Sequence, residues 1–553
     1  MNKSTITPDE LNKLPKDLLI SMYMQLNESF TVIREQNERI QSQNDQLMKK
    51  ISGLQENLAV LTQQRFGRKT EQTSQINGQL SFDLDNSCVL NEAEKTVEDG
   101  IPKEPDIETV MIIKQRKSKG KRETDLKDID TVVEEHTLSD ERLEALFPFG
   151  YHRLPNEVYK DLEYIPAKFL VHEHHVAIYA GKNDTGIIRA DRPERLLKNS
   201  ILTPALAASI FNAKYVNAVP INRLSEEFLR NDVRISRQVM AGWMIRLSER
   251  YLGPVYREMH RRILESRLIH CDETPFKVVD DGRSPNSKNY MWVYHTSTRY
   301  GSPPIFLYEY QPTRKADNPR RFLEGYSGIL MTDGYQVYHT LANERPDELK
   351  VAGCWAHAKR RWTELIKSIG KGTANGLIAD EANRRISAIY HIDNMYKEAS
   401  AEERLDNRKK SVKPLVDAYF EWLKRLQARP DIDKGSKTYG AITYSLNQER
   451  YLRTFLEDEM IPLDNNDAER SIKAFCVGKH NWHIVDSVNG AHASGVLYSI
   501  AETAKANGLK PYEYFRYLLE QMLIHLDDEP KDYIGDLVPW SVKIPECCKK
   551  LKK

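Results

Sequence analysis

A chain of 553 residues is too long for one ordinary hydrophobic core, so two or three folded units with extended connections are expected. With 29% charged residues, no apolar run long enough to cross a bilayer and a polar start, MNKSTITPDELNKLPKDLL, the composition excludes a membrane-spanning or secreted class and implies a cytoplasmic protein. The net charge of +1 hides basic runs at Ile112–Arg122 and His357–Trp362, so nucleic acid stays open as a partner, whereas six cysteines without a Cys-x-x-Cys argue against a disulfide framework or a zinc ribbon.

From Leu26 onward apolar residues recur every seven positions. Leu26, Ile33, Ile40, Leu47, Leu54 and Leu61 form one column, and Phe30, Asn37, Asn44, Ile51 and Leu58 form the other. This spacing predicts a coiled coil within residues 1–71, with Asn37 and Asn44 at positions where a buried amide favours a paired, in-register dimer. Residues 72–125 are polar, carry prolines and lack periodicity, as a flexible linker does. Over 126–190 the β-formers of Glu157–Gly181 predict a small sheet, and His172, His174 and His175 are expected to be surface strand residues. Within 191–266, Ile221–Leu247 divides into an amphipathic helix, a turn at Asn231–Ile235 and a second helix capped by Ser236. The expected shared core is Leu224, Phe228 and Leu229 with Val239, Trp243 and Leu247. Such a helix-turn-helix would offer Arg237 and Gln238 to phosphate or base edges.

Across 267–368 the pattern turns to strands at Leu268–Asp280, Tyr290–Ser297 and Pro304–Tyr310, a helix near Arg314–Leu323, and a strand at Gly328–Tyr335. A helix near Tyr335–Ala342, a strand at Lys350–Cys354 and a helix at Trp355–Ser368 follow. The order matches an α/β fold of ribonuclease H-like type, in which the first and fourth strands are neighbours and bring Asp272 and Asp333 to one edge. Two such carboxylates suit a hard divalent ion, Mg²⁺ or Mn²⁺. Residues 369–463 read as an all-helical insertion. Over 464–489, Asp464, Asn465 and Asn466 are expected to cap a helix whose Ala468, Ile472 and Phe475 face inward, leaving Glu469 and Lys473 together at i, i+4 spacing. If that helix packs beside the sheet edge, Glu469 completes a two-ion site and Lys473 or Arg470 holds a phosphate; an ordinary exposed salt bridge is the other reading of the same spacing. Lys359, Arg360 and Arg361 are further candidate DNA contacts, and Cys354 with His357 forms a Cys-x-x-His string assigned to local packing or hydrogen bonding.

Taken together, RFGRKTEQ, YIPAKF, HCDETPFKV, LMTDGYQVYH, CWAHAKRRW, NNDAERSIKAFCVGKHNW and the tail GAHASGVLYSIAETAKANGLKPYEYFRYLL resemble a bacterial DDE transposase of the insertion sequence sixty-six family. That resemblance implies that Asp272, Asp333 and Glu469 are catalytic acids using two Mg²⁺ or Mn²⁺ ions, that Cys354 and His357 are an accompanying string, and that residues 490–553 hold a helical C-terminal element. It further implies terminal inverted repeats and target DNA as partners, at least two protomers, small companion proteins and a nucleoid location. Family members carry a zinc-ribbon-like segment, but the equivalent stretch here, about Leu146–Ile188, has no cysteine, so no zinc is expected. A catalytically dead repressor or architectural dimer, and a structure-selective nuclease of the same fold, are the alternatives.

Overall fold

The computed structural model describes residues 15–66, 141–142, 146, 148–149, 168–180, 187–191 and 193–550, apart from 285–286, 371–373, 527 and 529–531. Side chains at 42, 45–66, 180, 187–189, 299, 467 and 469 also lie outside the described residues. The linker of 72–125 and most of 126–190 fall outside them as well. The described residues form two compact units, one within 1–68 and 195–549 and the other within 69–194. Among the described residues of the second unit, β1 (Ile178–Ala180) and β2 (Ile187–Arg189) pair antiparallel with Tyr179 opposite Ile188, and residues 157–167 of the predicted sheet lie outside them. His172, His174 and His175 are exposed.

The first unit begins with α1 (Lys16–Phe66), one continuous helix of 51 residues. Leu26, Ile33 and Ile40 are more than half exposed, and Asn37 and Asn44 are exposed with them. The remaining predicted positions, Leu47, Leu54 and Leu61, have side chains outside the described residues. The chain resumes with α2 (Pro204–Phe211), α3 (Ile221–Arg230), α4 (Arg237–Leu247) and α5 (Gly253–Ile263). Helix α4 starts where expected, because Ser236 accepts the Val239 amide at 3.3 Å. Val233 N–H donates to Phe228 O and the Ser225 hydroxyl to Ile235 O, which fixes the α3–α4 turn around the positive φ of Asp232. The shared core differs from the expected one at two positions. Leu229 and Val239 are exposed, whereas Met240, one residue further along, is fully buried beside Trp243 and Leu247. A one-residue shift rotates a helical position by about 100°, enough to move it from solvent to core.

The central sheet contains β3 (Leu268–Asp280), β4 (Asn289–Thr296) and β5 (Phe306–Gln311), followed by α6 (Asp317–Phe322), β6 (Gly328–Thr332), α7 (Gln336–Glu344), β7 (Leu349–Gly353) and α8 (Trp355–Ile369). Strands β3 to β5 form an antiparallel meander, β6 joins β3 in parallel and β7 joins β6 in parallel, giving the order β5-β4-β3-β6-β7. The sheet is therefore mixed, with its first and fourth strands side by side. Helices cover both faces, which is why Leu268–Cys271 are all buried instead of alternating.

Helices α9 (Ile378–Met395), α10 (Ala401–Asn407), α11 (Lys413–Gln427), α12 (Lys437–Asn447) and α13 (Glu449–Leu452) fill the region predicted as an insertion. Their core is continuous with that of α8: Trp355 and Trp362 are fully buried, their indole N–H groups donating to Leu452 O at 2.8 Å and to Tyr419 Oη at 3.1 Å. Then come α14 (Asn466–Trp482), β8 (Ile484–Ser487), α15 (Val488–Ala506) and α16 (Pro511–Ile524). Strand β8 pairs in parallel with the far end of β3, Lys277 opposite Ile484.

Helix α15 closes the open edge of the sheet. Gly495, Ser499 and Thr503, spaced at i, i+4 and i+8, run along edge strand β5. Ser499 Oγ accepts from Tyr308 N at 2.8 Å, and Thr503 Oγ1 accepts from Phe306 N at 3.0 Å and donates to Phe306 O at 3.1 Å. Three of the β5 backbone groups that would template edge pairing, Phe306 N–H and C=O and Tyr308 N–H, are thereby satisfied. A Cβ on Gly495 would stand 2.8 Å from Tyr308 O. Gly495→Ala is expected to cost about 1–3 kcal/mol, because helix and strand must separate. Gly440→Ala, with nothing within 4 Å of its Cβ, is expected to be neutral or to stabilise by up to about 1 kcal/mol. Urea midpoints of the two variants check the contrast.

Candidate active site

In the parallel pair β3–β6, Leu268, Ile269 and His270 stand opposite Ile329, Leu330 and Met331. The ladder ends there: Asp272 lies two residues past His270 on β3, and Asp333 two residues past Met331, just after β6. Asp272 is the fifth residue of β3, and Asp333 is the first residue after β6. One oxygen of each carboxylate is fixed by a backbone amide: Asp272 Oδ1 accepts from Glu273 N at 2.8 Å and Asp333 Oδ1 from Tyr335 N at 3.0 Å. The turn after Asp333 is held from the helical insertion, since the Tyr444 hydroxyl donates to Asp333 O at 2.7 Å. Gly334 lies at φ +94°, and a Cβ there would meet Gln448 and the Tyr444 hydroxyl at 3.0 Å. The insertion thus sits directly on the acidic rim.

Helix α14 runs along β3 in the interval between its two parallel neighbours, β6 and β8. At its start the Asn465 side chain donates from Nδ2 to Cys271 O at 3.0 Å, and its Oδ1 lies 2.6 Å from His270 Nδ1. Its backbone N–H donates to Cys354 Sγ at 3.2 Å, while Trp355 N–H donates to Leu463 O at 2.9 Å. Further along, the Cys476 thiol donates to Thr274 Oγ1 at 3.6 Å and Lys479 Nζ to Pro275 O at 3.0 Å. Positions 465, 469, 472 and 476 lie on one helical stripe. Position 469 lies on that stripe between an anchor at Cys271 and an anchor at Thr274, one on each side of Asp272 along β3. The Glu469 side chain lies outside the described residues. Ala468, Ile472 and Phe475 are buried as expected.

On the other face of β3, Glu273 is buried and paired with Arg314, which also stacks on the Tyr335 ring 3.8 Å from its centroid. Burial pushes the Glu273 pKa up to about 7, and the Asp333 charge adds to the rise against the opposing effect of Arg314. The nearest thiols belong to Cys271 and Cys476. Burial raises both, so they stay protonated and offer no thiolate. The carboxylate oxygens of Asp272 and Asp333 are donors that suit Mg²⁺ or Mn²⁺. Among the described residues no three His, Cys, Asp or Glu side chains converge on a metal position.

Of the candidate DNA contacts, Arg237 and Gln238 are exposed at the start of α4. Arg361 is exposed and its guanidinium stacks on Tyr444 at 4.0 Å, next to Asp333. Lys359 lies over Tyr390 at 5.7 Å, and Arg360 Nη1 is 3.2 Å from His357 Nε2. Arg470 is exposed and Lys473 half-buried. Arg237 and Gln238 sit on a different helix pair from the acidic rim. Asn465 and the Glu273–Arg314–Tyr335 group escape the sequence reading. Asn465 and Asn466 do mark a helix start, as expected of caps, but the Asn465 side chain makes no cap bond, and nothing in the spacing says that it turns its amide toward a strand.

Residues 199–493 match the family model described as Transposase IS66 family, and residues 499–540 match the IS66 C-terminal element. Three proteins of Sinorhizobium fredii (strain NBRC 101917 / NGR234), each described as uncharacterized, are among the relatives. Protein y4qI is 29% identical over 392 residues, covering 69% of this chain and 70% of its own. Protein y4jD is 28% identical over 400 residues (71% and 76%), and y4hP is 27% identical over 405 residues (71% of each). The first matched region includes Asp272, Asp333 and all of α14, and the second begins at Ser499, one of the residues that bonds the sheet edge.

Proposed function

The chain belongs to the IS66 family of transposases, and from that premise we propose that it is a DDE enzyme whose Asp272, Asp333 and Glu469 jointly bind divalent metal to cut and join DNA. The observation that carries this reading is the anchoring of α14 on both sides of Asp272, with Asp333 just past the end of neighbouring strand β6, as many residues beyond the β3–β6 ladder as Asp272. The strand order β5-β4-β3-β6-β7 agrees with a ribonuclease H-like core. Asp272, Asp333 and Glu469 would hold two Mg²⁺ or Mn²⁺ ions, which would supply activation of the attacking oxygen and charge stabilisation of the leaving one.

The reaction has two displacements at phosphorus. At the element end, water attacks phosphorus and the P–O3′ bond breaks, leaving a 5′-phosphate and a free 3′-hydroxyl, the leaving 3′-oxygen taking up a proton given up by the water. That hydroxyl then displaces a 3′-oxygen of the target strand, so one phosphodiester forms for each one broken and no energy cofactor is consumed. Arg361, Arg470 and Lys473 hold phosphates near the acids, and Lys359 and Arg360 extend the basic surface. Helices α3 and α4 act as a helix-turn-helix on the inverted repeat, with Arg237 and Gln238 at the DNA. The exposed column of α1, Leu26, Ile33 and Ile40 with Asn37 and Asn44, pairs with a second copy as a parallel coiled coil, which brings two element ends together. Small companion proteins from the same element complete the assembly.

A supercoiled plasmid carrying candidate inverted repeats tests this function. With Mg²⁺ it should give cuts at the repeat ends and joined strand-transfer products. Cuts without joining would identify a nuclease, and binding without cuts a repressor. Arg237→Ala should weaken binding to the repeat and make the dependence of log K on log salt shallower by about one unit, the loss of one phosphate contact. A salt titration by fluorescence anisotropy measures that slope.

A further inference from the structure

We propose that Asn465 is a positioning residue: it locks the first turn of α14 to β3 and to the end of β7, and thereby sets where the carboxylate of Glu469 stands. The inference rests on the reading of Glu469 as a metal ligand. Asn465 is completely buried. An asparagine ahead of a helix ordinarily turns its side chain back to cap the first free amides. Here the side chain makes no cap bond. Its Nδ2 donates instead to Cys271 O, a carbonyl in the stretch of β3 after the last β6 rung, His270, and before the first β8 rung, Lys277. The amide therefore takes the place that a neighbouring strand would occupy.

The remaining bonds fix its orientation. With Nδ2 committed to Cys271 O, Oδ1 is the acceptor at 2.6 Å and His270 Nδ1 carries the proton. The His270 ring is itself held, stacked on His295 with centroids 4.4 Å apart and planes within 4°, and His295 stacks in turn on Phe306. The backbone N–H of Asn465 donates to Cys354 Sγ, which gives the cysteine of the Cys-x-x-His string a specific task. Further along α14, Tyr308 Oη donates to Ser471 O at 2.6 Å, and Cys476 and Lys479 anchor the far end. Without the Asn465 bonds the residues ahead of Ser471, Glu469 among them, lose their hold at the helix start. The carboxylate would then swing with the first turn.

Three variants of the full chain test this. Asn465→Ala removes both side-chain bonds, Cys354→Ala removes the sulfur acceptor, and Cys354→Ser puts an acceptor back. Amide hydrogen exchange over residues 466–472, measured without metal or DNA, should quicken on the order of tenfold in both alanine variants, return toward wild type in Cys354→Ser, and leave α16 unchanged. The Mg²⁺ concentration for half-maximal end cleavage should rise roughly 10–100-fold in the same two variants at unchanged DNA affinity. Wild-type exchange together with a wild-type Mg²⁺ requirement in Asn465→Ala would overturn the proposal. Should Asn465→Ala fail to fold, the Cys354 pair decides by the same two readouts, and equal behaviour of Cys354→Ala and Cys354→Ser with wild type overturns it. Undiminished cleavage by Glu469→Gln would sink the metal-ligand reading instead, while the exchange data still report on the anchoring itself.

Discussion

Glu469→Gln should abolish cleavage at the element end, lowering the rate at least about 10³-fold while leaving the affinity for the end unchanged. Losing a carboxylate from a metal site removes several kcal/mol of transition-state stabilisation, and each 1.4 kcal/mol or so is tenfold in rate. Asp272→Asn and Asp333→Asn are expected to behave the same way. All three changes are isosteric, and the backbone amides that fix Asp272 Oδ1 and Asp333 Oδ1 can still donate to an amide oxygen. Folding should therefore survive. Cleavage of a labelled repeat end beside a binding assay on the same DNA separates chemistry from recognition. Robust nicking by Glu469→Gln would remove that residue from the site.

Arg408→Ala is expected to produce the largest loss of stability among the residues described. Arg408 is fully buried and donates from Nε to Asp393 Oδ1 at 2.7 Å, while Nη1 donates to Phe455 O at 2.8 Å and to Asp458 O at 2.5 Å. Arg404 contacts the same Asp393 at 2.9 Å. The Asp458 carboxylate accepts from Arg267, the residue before β3, and from Tyr300. Truncating Arg408 would leave Asp393 short of a counter-charge in the core and release two carbonyls, at a cost of about 3–5 kcal/mol. The double variant Asp393→Asn/Arg408→Met, which removes the buried charge together with its partner, should recover part of that loss. Burial works against ionisation of Asp393, but the two arginines overcome it and hold the pKa below the usual carboxylate range. Since that pKa is depressed on folding, the stabilisation is fully present above the unfolded value of about 3.9 and fades as pH falls through the folded value. Proteolysis within residues 378–452, followed against pH, reads both effects. Because Tyr444 of this helical region holds the turn at Asp333, the variant should also lose cleavage activity.

Much of this architecture is legible in the sequence because local signals and tertiary demands agree. The long strand Leu268–Asp280 stands where its β-formers place it, Ser236 caps its helix, and Ala468, Ile472 and Phe475 face inward. Where the reading of the helix pair slips, at Leu229 and Val239, the cause is angular. Apolar spacing predicts a stripe to within about one residue, and the packing partner decides which edge of the stripe is buried. Asn465 illustrates a different limit. Its residue type and position say helix cap, and only the tertiary approach of β3 offers its amide a carbonyl and an imidazole to bond. The Glu273–Arg314 pair, 41 positions apart, and the edge closure by Ser499 and Thr503 are likewise products of topology that no local spacing encodes. That the first and fourth strands, β3 and β6, are neighbours was accessible only because the order of strands and helices was itself readable.

The most direct test of the central claim is a crystal of the protein with a repeat-end DNA and Mn²⁺, read by anomalous scattering. Two manganese peaks about 3.5–4 Å apart, ligated by Asp272, Asp333 and Glu469, are the predicted result. Manganese bound elsewhere, or a Glu469 carboxylate well out of coordination reach of both aspartates with DNA in place, would contradict it.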